Sequence, residues 1–178
     1  MVVRMIDPWV NVSMGGGGQQ PEWLIRVQQD YFRAGDEFLA DISQQRLLAD
    51  MDAAGVEKAI LSIGAKDPEP RALEFAKAHP ERFAYAVSVD PRKLMRELWR
   101  LEALTREHPV VMARVVPFLI DLPPTHPTYY PLYAKCVELD LPLSINTGIP
   151  GPPVPGECQD PMHLDRVCLH FPDLRLSI

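Results

Sequence analysis

The chain has 178 residues, 47% of them hydrophobic and 24% charged, which is the composition of one globular domain with a real core. Its net charge is −6 and its eighteen basic residues are scattered, which excludes nucleic acid and anionic membranes as expected partners. Three cysteines with no CxxC pair predict reduced thiols and a cytoplasmic protein. The amino terminus lacks the apolar core and cleavage site of a signal peptide, and no run of about eighteen apolar residues is present to span a bilayer.

Val2 to Ile6 reads as a first strand, broken by Asp7-Pro8 and continued in extended form by Trp9 to Val12. Gly15 to Gly18 reads as a loop; it lacks the Lys-Ser/Thr that would follow in a phosphate-binding loop. Residues 22 to 54 are helical in character, with Asp41 or Ser43 as the cap of the last part and Gly55 as its stop. Val56 to Ile63 is the second strand, Pro70 to His79 a helix, and Phe83 to Val89 the third strand. Asp90-Pro91 is a helix start, and Leu94, Leu98, Leu101 and Leu104 follow as a core-facing stripe.

Val110 to Ile120 reads as the fourth strand, with Pro117 at its mouth end. A stiff loop, DLPPTHPT, leads to a helix over Pro131 to Leu139, and Leu141 to Thr147 is the fifth strand. Met162 to His170 is a helix, and Leu174 to Ile178 begins a sixth strand. Six strands alternating with helices predict an α/β fold with a parallel sheet and right-handed crossovers. No GxGxxG follows the first strand, which weakens a dinucleotide-binding sheet. An incomplete TIM-type (βα) barrel fits the remaining pattern. A full barrel takes about 250 residues, so residues 1–178 are expected to be one domain cut short at its sixth strand.

MIDPWVN at residues 5–11, HPERFAYAVSVDP at 79–91 and YYPLYAKCVELDLPLSINTGIPGP at 129–152 resemble the amidohydrolase-related superfamily. The nearest branch is that of aminocarboxymuconate semialdehyde decarboxylase and its relatives. The resemblance covers nearly the whole chain. It implies a βα barrel and a divalent-metal hydrolase, or a non-oxidative decarboxylase, acting on a small carboxylated substrate. It also implies where metal ligands should be. The family's His-x-His on the first strand falls on Trp9-Val-Asn11, and its fifth-strand histidine falls on Asn146; its later histidine and aspartate would lie beyond Ile178. Indole offers no free lone pair and an amide only a weak carbonyl oxygen. The expectation is therefore no metal in this chain itself, with zinc bound only if further residues supply ligands.

The five histidines, at 79, 108, 126, 163 and 170, show no HxH and no i, i+3 or i+4 pair. The pocket candidates are Asp7, Trp9, Asn11, Asp90, Arg114 and Asn146, all near predicted strand ends. Asp7 and Asp90 fit acid–base work or, more simply, a turn and a helix cap. Arg114, amid VVMA and VVPF, must meet an anion: a substrate carboxylate, or Asp7 or Asp90. Cys158 is the one thiol in a loop beyond a strand end, though a buried inert thiol is commoner. Three roles remain open: a hydrolase or carboxy-lyase, a binding protein without the metal, and a subunit completed by another copy or another chain.

Overall fold

The computed structural model describes residues 5–13, 20–64 and 70–178; Val2 to Arg4 and the glycine run 15–18 lie outside them. Six parallel strands form one sheet whose order is the sequence order, β1 to β6, with a helix in each crossover. The class is α/β, an incomplete TIM-type barrel. By contact the chain divides into two compact units, Met1–Tyr85 and Ala86–Ile178.

In the first unit β1 spans Met5–Val10, so Asp7-Pro8 lies inside a strand and does not break it. Proline is tolerated there because the ladder is irregular: Asp7 sits opposite Ala59 and Val10 opposite Leu61, leaving Pro8 and Trp9 to face Ile60 alone. Two residues against one is a β-bulge, a place where a missing N–H costs little. The expected helix over 22–54 is in pieces: α1 at Glu22–Arg26, a π-turn at Val27–Tyr31, a 3-10 turn at Asp36–Leu39, and α2 at Gln44–Ala54. Gly35 and the extended Ala40 interrupt what the apolar pattern alone joined.

Ser43, not Asp41, caps α2 by accepting the Arg46 N–H, and Gly55 ends it at φ 71°. In that left-handed region only glycine escapes the steric penalty of a Cβ. β2 is Val56–Ile63, as read from the sequence, with Ala59, Leu61 and Ile63 buried on one face. After α3 at Pro70–Ala78, the Tyr85 hydroxyl donates to the Ala72 and Leu73 carbonyls at 3.1 Å each. Burial pushes that phenol up to about 12, so it remains a donor at neutral pH.

β3, Phe83–Ser88, leads into the second unit. Asp90 does start a turn there, but only a 3-10 turn at Pro91–Lys93; α4 begins afresh at Met95 and runs to Glu107. Leu94, between them, has φ 43° and is 47% exposed, so it drops out of the expected stripe while Leu98, Leu101 and Leu104 stay buried. From α4, half-buried Arg100 donates to the Ser88 carbonyl at 2.8 Å and lies 3.4 Å from the Glu97 carboxylate. A guanidinium so placed needs such a counter-charge, and here it also fixes the end of β3.

β4 is Val110–Val115 and stops short of the expected Ile120, because Pro117 opens a 3-10 turn, Pro117–Leu119. The proline-rich loop that follows is braced by α5, Tyr130–Glu138, and the turn before it. Tyr129 donates to the Leu122 carbonyl at 2.8 Å, Tyr130 to Thr125 at 3.3 Å and Tyr133 to Pro124 at 2.7 Å. β5 is Leu143–Ile145, α6 Met162–His170 and β6 only Leu176–Ser177. No helix among the described residues is long and apolar enough to cross a membrane.

Candidate functional site

Parallel register places the site. Ala113, Arg114 and Val115 of β4 lie opposite Leu143, Ser144 and Ile145 of β5, and Leu143 and Ser144 lie opposite Leu176 and Ser177 of β6. The Asn146 N–H donates to the Val115 carbonyl, the residue before it being Val115's partner; the Val89 N–H donates to the Arg114 carbonyl in the same way, so Ser88 is Arg114's partner. Ser88, Arg114, Ser144 and Ser177 therefore form one lateral row on one face, with neighbours about 4.8 Å apart. Asn146 stands two residues further along β5 on the same face.

The opposite face carries the fully buried Ala113, Val115, Leu143 and Ile145. Along β3, Ser88 has the parity opposite to Val87, which is fully buried. The polar row thus lies on the face opposite Ala113, Val115, Leu143 and Ile145. Sequence reading singled out Arg114 from this row, and Asn146 beside it, but passed over Ser144 and Ser177. Register was the missing signal.

Arg114 is 2% exposed. Its Nη2 lies 4.0 Å from the sulfur of Met112, two residues back on the same face, a weak contact at best. Burial pulls its pKa down to about 10, so it is still a cation at neutral pH. A guanidinium between two serine hydroxyls, with an amide one step on, offers several donors to one anion and has the fork geometry of carboxylate recognition. It has little to offer for proton transfer.

The other candidates fall elsewhere. Asp90 is 9% exposed, and both of its oxygens are held by Arg92 at 2.9 Å, while the Arg92 N–H donates to it at 3.1 Å. Those bonds to Arg92 keep its carboxyl below the usual 3.8, so it is a fixed anion and a poor general acid. Asp90→Asn is expected to lose stability at pH 7. The sign follows from the lowered folded pKa: the carboxylate's contribution is present above the unfolded value and lost as pH falls through the folded one. Urea midpoints of wild type and variant should differ at pH 7 and draw together as pH falls below the usual carboxylate range.

Asp7, expected in a turn, accepts the Trp9 N–H at 3.0 Å and shares the ladder position of buried Ala59. The bulge then turns the chain over, so Trp9 and Asn11 alternate with Val10, which shares the face of Leu61. Trp9 is 39% exposed, an aromatic surface near the end of β1. Cys158 is buried, and burial first, then Asp121, raises its pKa; Cys136 is pushed up to about 12. Neither is a ready thiolate. A separate cleft of about 410 Å³ lies in the first unit between Glu37 and Asp50, where Arg46 is already engaged by Asp50 at 2.8 Å.

The donor set does not fit a divalent metal. Trp9, Asn11 and Asn146 bring neither imidazole, thiolate nor carboxylate. Among the described residues no three His, Cys, Asp or Glu side chains are grouped to hold an ion.

A family model described as amidohydrolase matches residues 19–178. No curated protein matches in sequence. Among solved structures, an uncharacterised TIM-barrel protein of Bordetella bronchiseptica is 20% identical with a TM-score of 0.72, over 98% of this chain and 66% of that one. A 4-oxalomesaconate hydratase of Rhodopseudomonas palustris is 18% identical at TM-score 0.61, over 97% and 61%. A 5-carboxyvanillate decarboxylase of Novosphingobium aromaticivorans, complexed with manganese and 4-hydroxy-3-methoxy-5-nitrobenzoic acid, is 17% identical at TM-score 0.68, over 97% and 64%. The chain thus spans 61–66% of the length of these three structures, and at such identities the likeness is one of fold.

Proposed function

The chain belongs to the amidohydrolase family, and on that footing we propose that it binds a small carboxylated substrate through Arg114 and, within the whole protein, serves hydrolysis of another bond in that substrate. The observation that carries this reading is the row Ser88–Arg114–Ser144–Ser177, a buried cation among hydroxyls on the face opposite Ala113, Val115, Leu143 and Ile145. The carboxylate held there is a handle. A guanidinium stabilises a carboxylate most when its charge is localised, so gripping the group that leaves as CO2 would favour the ground state over the transition state. That argues for hydrolysis before decarboxylation. No step is assigned to a metal, since residues 9, 11 and 146 do not fit one.

Those same three residues favour a second reading, a binding protein that keeps the anion site without catalysis. Product analysis in ¹⁸O-labelled water decides between them. The full-length protein, offered a panel of aromatic carboxylates bearing ester, lactone or amide groups, is expected to release product carrying ¹⁸O and no CO2. Release of CO2 without label would make it a carboxy-lyase, and saturable binding with neither product would make it a binding protein.

A further inference from the structure

The loop after β5 is clasped at its neck. The Gly148 N–H donates to the Gln159 carbonyl at 2.9 Å, and Gln159 Nε2 donates back to the Gly148 carbonyl at 3.1 Å. Gln159 is 2% exposed, and its Oε1 is buried without a hydrogen-bond partner among the described residues. An orphaned acceptor is unfavourable, so the amide's retention in that place is tied to the bond it donates. Inside the loop, Pro150 is buried, and a Cβ at Gly156 would come within 2.8 Å of Pro150 Cδ, so the two arms touch. Prolines at 150, 152, 153 and 155 fix four φ angles. Residues 148–159 therefore form a loop closed at its neck, an Ω-loop.

What the loop displays is Ile149. Gly148 turns at φ 87°, and the next side chain is 97% exposed, the most exposed large hydrophobic among the described residues. A lone exposed isoleucine on a pliant segment is unremarkable. This one is held on a braced loop three residues beyond Asn146, at the carboxyl end of β5, where barrel ligands sit.

We propose that Ile149 is a specificity-determining residue: it is the apolar wall against which the hydrocarbon part of the ligand rests, and Gln159 is the positioning residue that holds it there. Ring-bearing carboxylates are then preferred over short ones. This rests on the carboxylate reading of Arg114. The ligand enters with its charged end at the polar row and its ring toward the loop, and burying Ile149 against that ring supplies the preference.

Titration with 4-hydroxy-3-methoxy-5-nitrobenzoate and with malonate tests it, using wild type, Ile149→Ser, Gln159→Glu and Arg114→Met. Ile149→Ser is expected to weaken the nitrobenzoate about tenfold and leave malonate within about twofold, the worth of partly burying one such side chain. Gln159→Glu cannot donate to Gly148; it should weaken the nitrobenzoate similarly and open residues 149–156 to limited proteolysis, which Ile149→Ser should not. Unchanged nitrobenzoate binding in Ile149→Ser, with both ligands lost in Arg114→Met, overturns the role of Ile149 alone. Unchanged binding of both ligands in Arg114→Met, or no binding by wild type, overturns the carboxylate reading and this inference with it.

Discussion

Arg114→Met is expected to lower affinity for the carboxylate proposed to bind there by roughly 10- to 100-fold, because a charge-assisted hydrogen bond is worth about 1.5–3 kcal/mol and each 1.4 kcal/mol is tenfold. The same substitution is expected to raise the melting temperature. Burial holds the folded pKa near 10, below the ordinary 12.5, so the unfolded chain binds the proton more tightly than the folded one. The stability penalty of the charged form is therefore complete below about pH 10 and relieved only as pH rises through the interval above it. An apolar chain of similar volume removes that desolvation penalty. Affinity lost while stability rises is the signature of a group retained for binding. Calorimetric titration and thermal unfolding of one preparation measure both, and unchanged affinity would take Arg114 out of the site. Ligand affinity in wild type should also be level from pH 7 to about 9 and fall beyond pH 10 as the guanidinium titrates.

Tyr129→Ala should destabilise the protein by about 3 kcal/mol or more, the cost of emptying a buried aromatic site. The ring is fully buried, 5.8 Å from that of Tyr133, and its hydroxyl holds the Leu122 carbonyl. Burial, before Cys158 and Asp90, raises its pKa, which keeps the donor intact across the accessible range. Tyr129→Phe separates the two contributions: it keeps the ring and gives up one hydrogen bond, worth about 1 kcal/mol. Chemical denaturation of both variants gives the difference. Equal losses would mean that the hydroxyl, not the ring, is what braces the proline-rich loop.

Several elements were legible because their cause is local. β2 and α6 lie where the apolar pattern put them, and Gly55 ends α2 because a left-handed residue is needed there. Asp90 caps the turn its Asp-Pro pair announced. Where the reading failed, a tertiary constraint overrode a local one. Asp7-Pro8 should have broken a strand, but pairing with β2 absorbed it as a bulge. The helix expected from Pro91 stops at Leu94, whose φ of 43° no propensity would choose.

The sequence by itself determined the fold class, the order of strands and helices, and the family. Fold class and element order follow from residue type, spacing and period, and the family from the resemblance of whole segments, all of which the chain carries without folding. Only the tertiary structure decided that Ser88, Ser144 and Ser177 share a row with Arg114, that Asp90 is committed to Arg92, and that Gln159 ties back to Gly148. Side-chain period in a strand is two, so a one-residue change of register moves every residue to the other face. Register is set by pairing between segments tens of residues apart, and no local pattern specifies it.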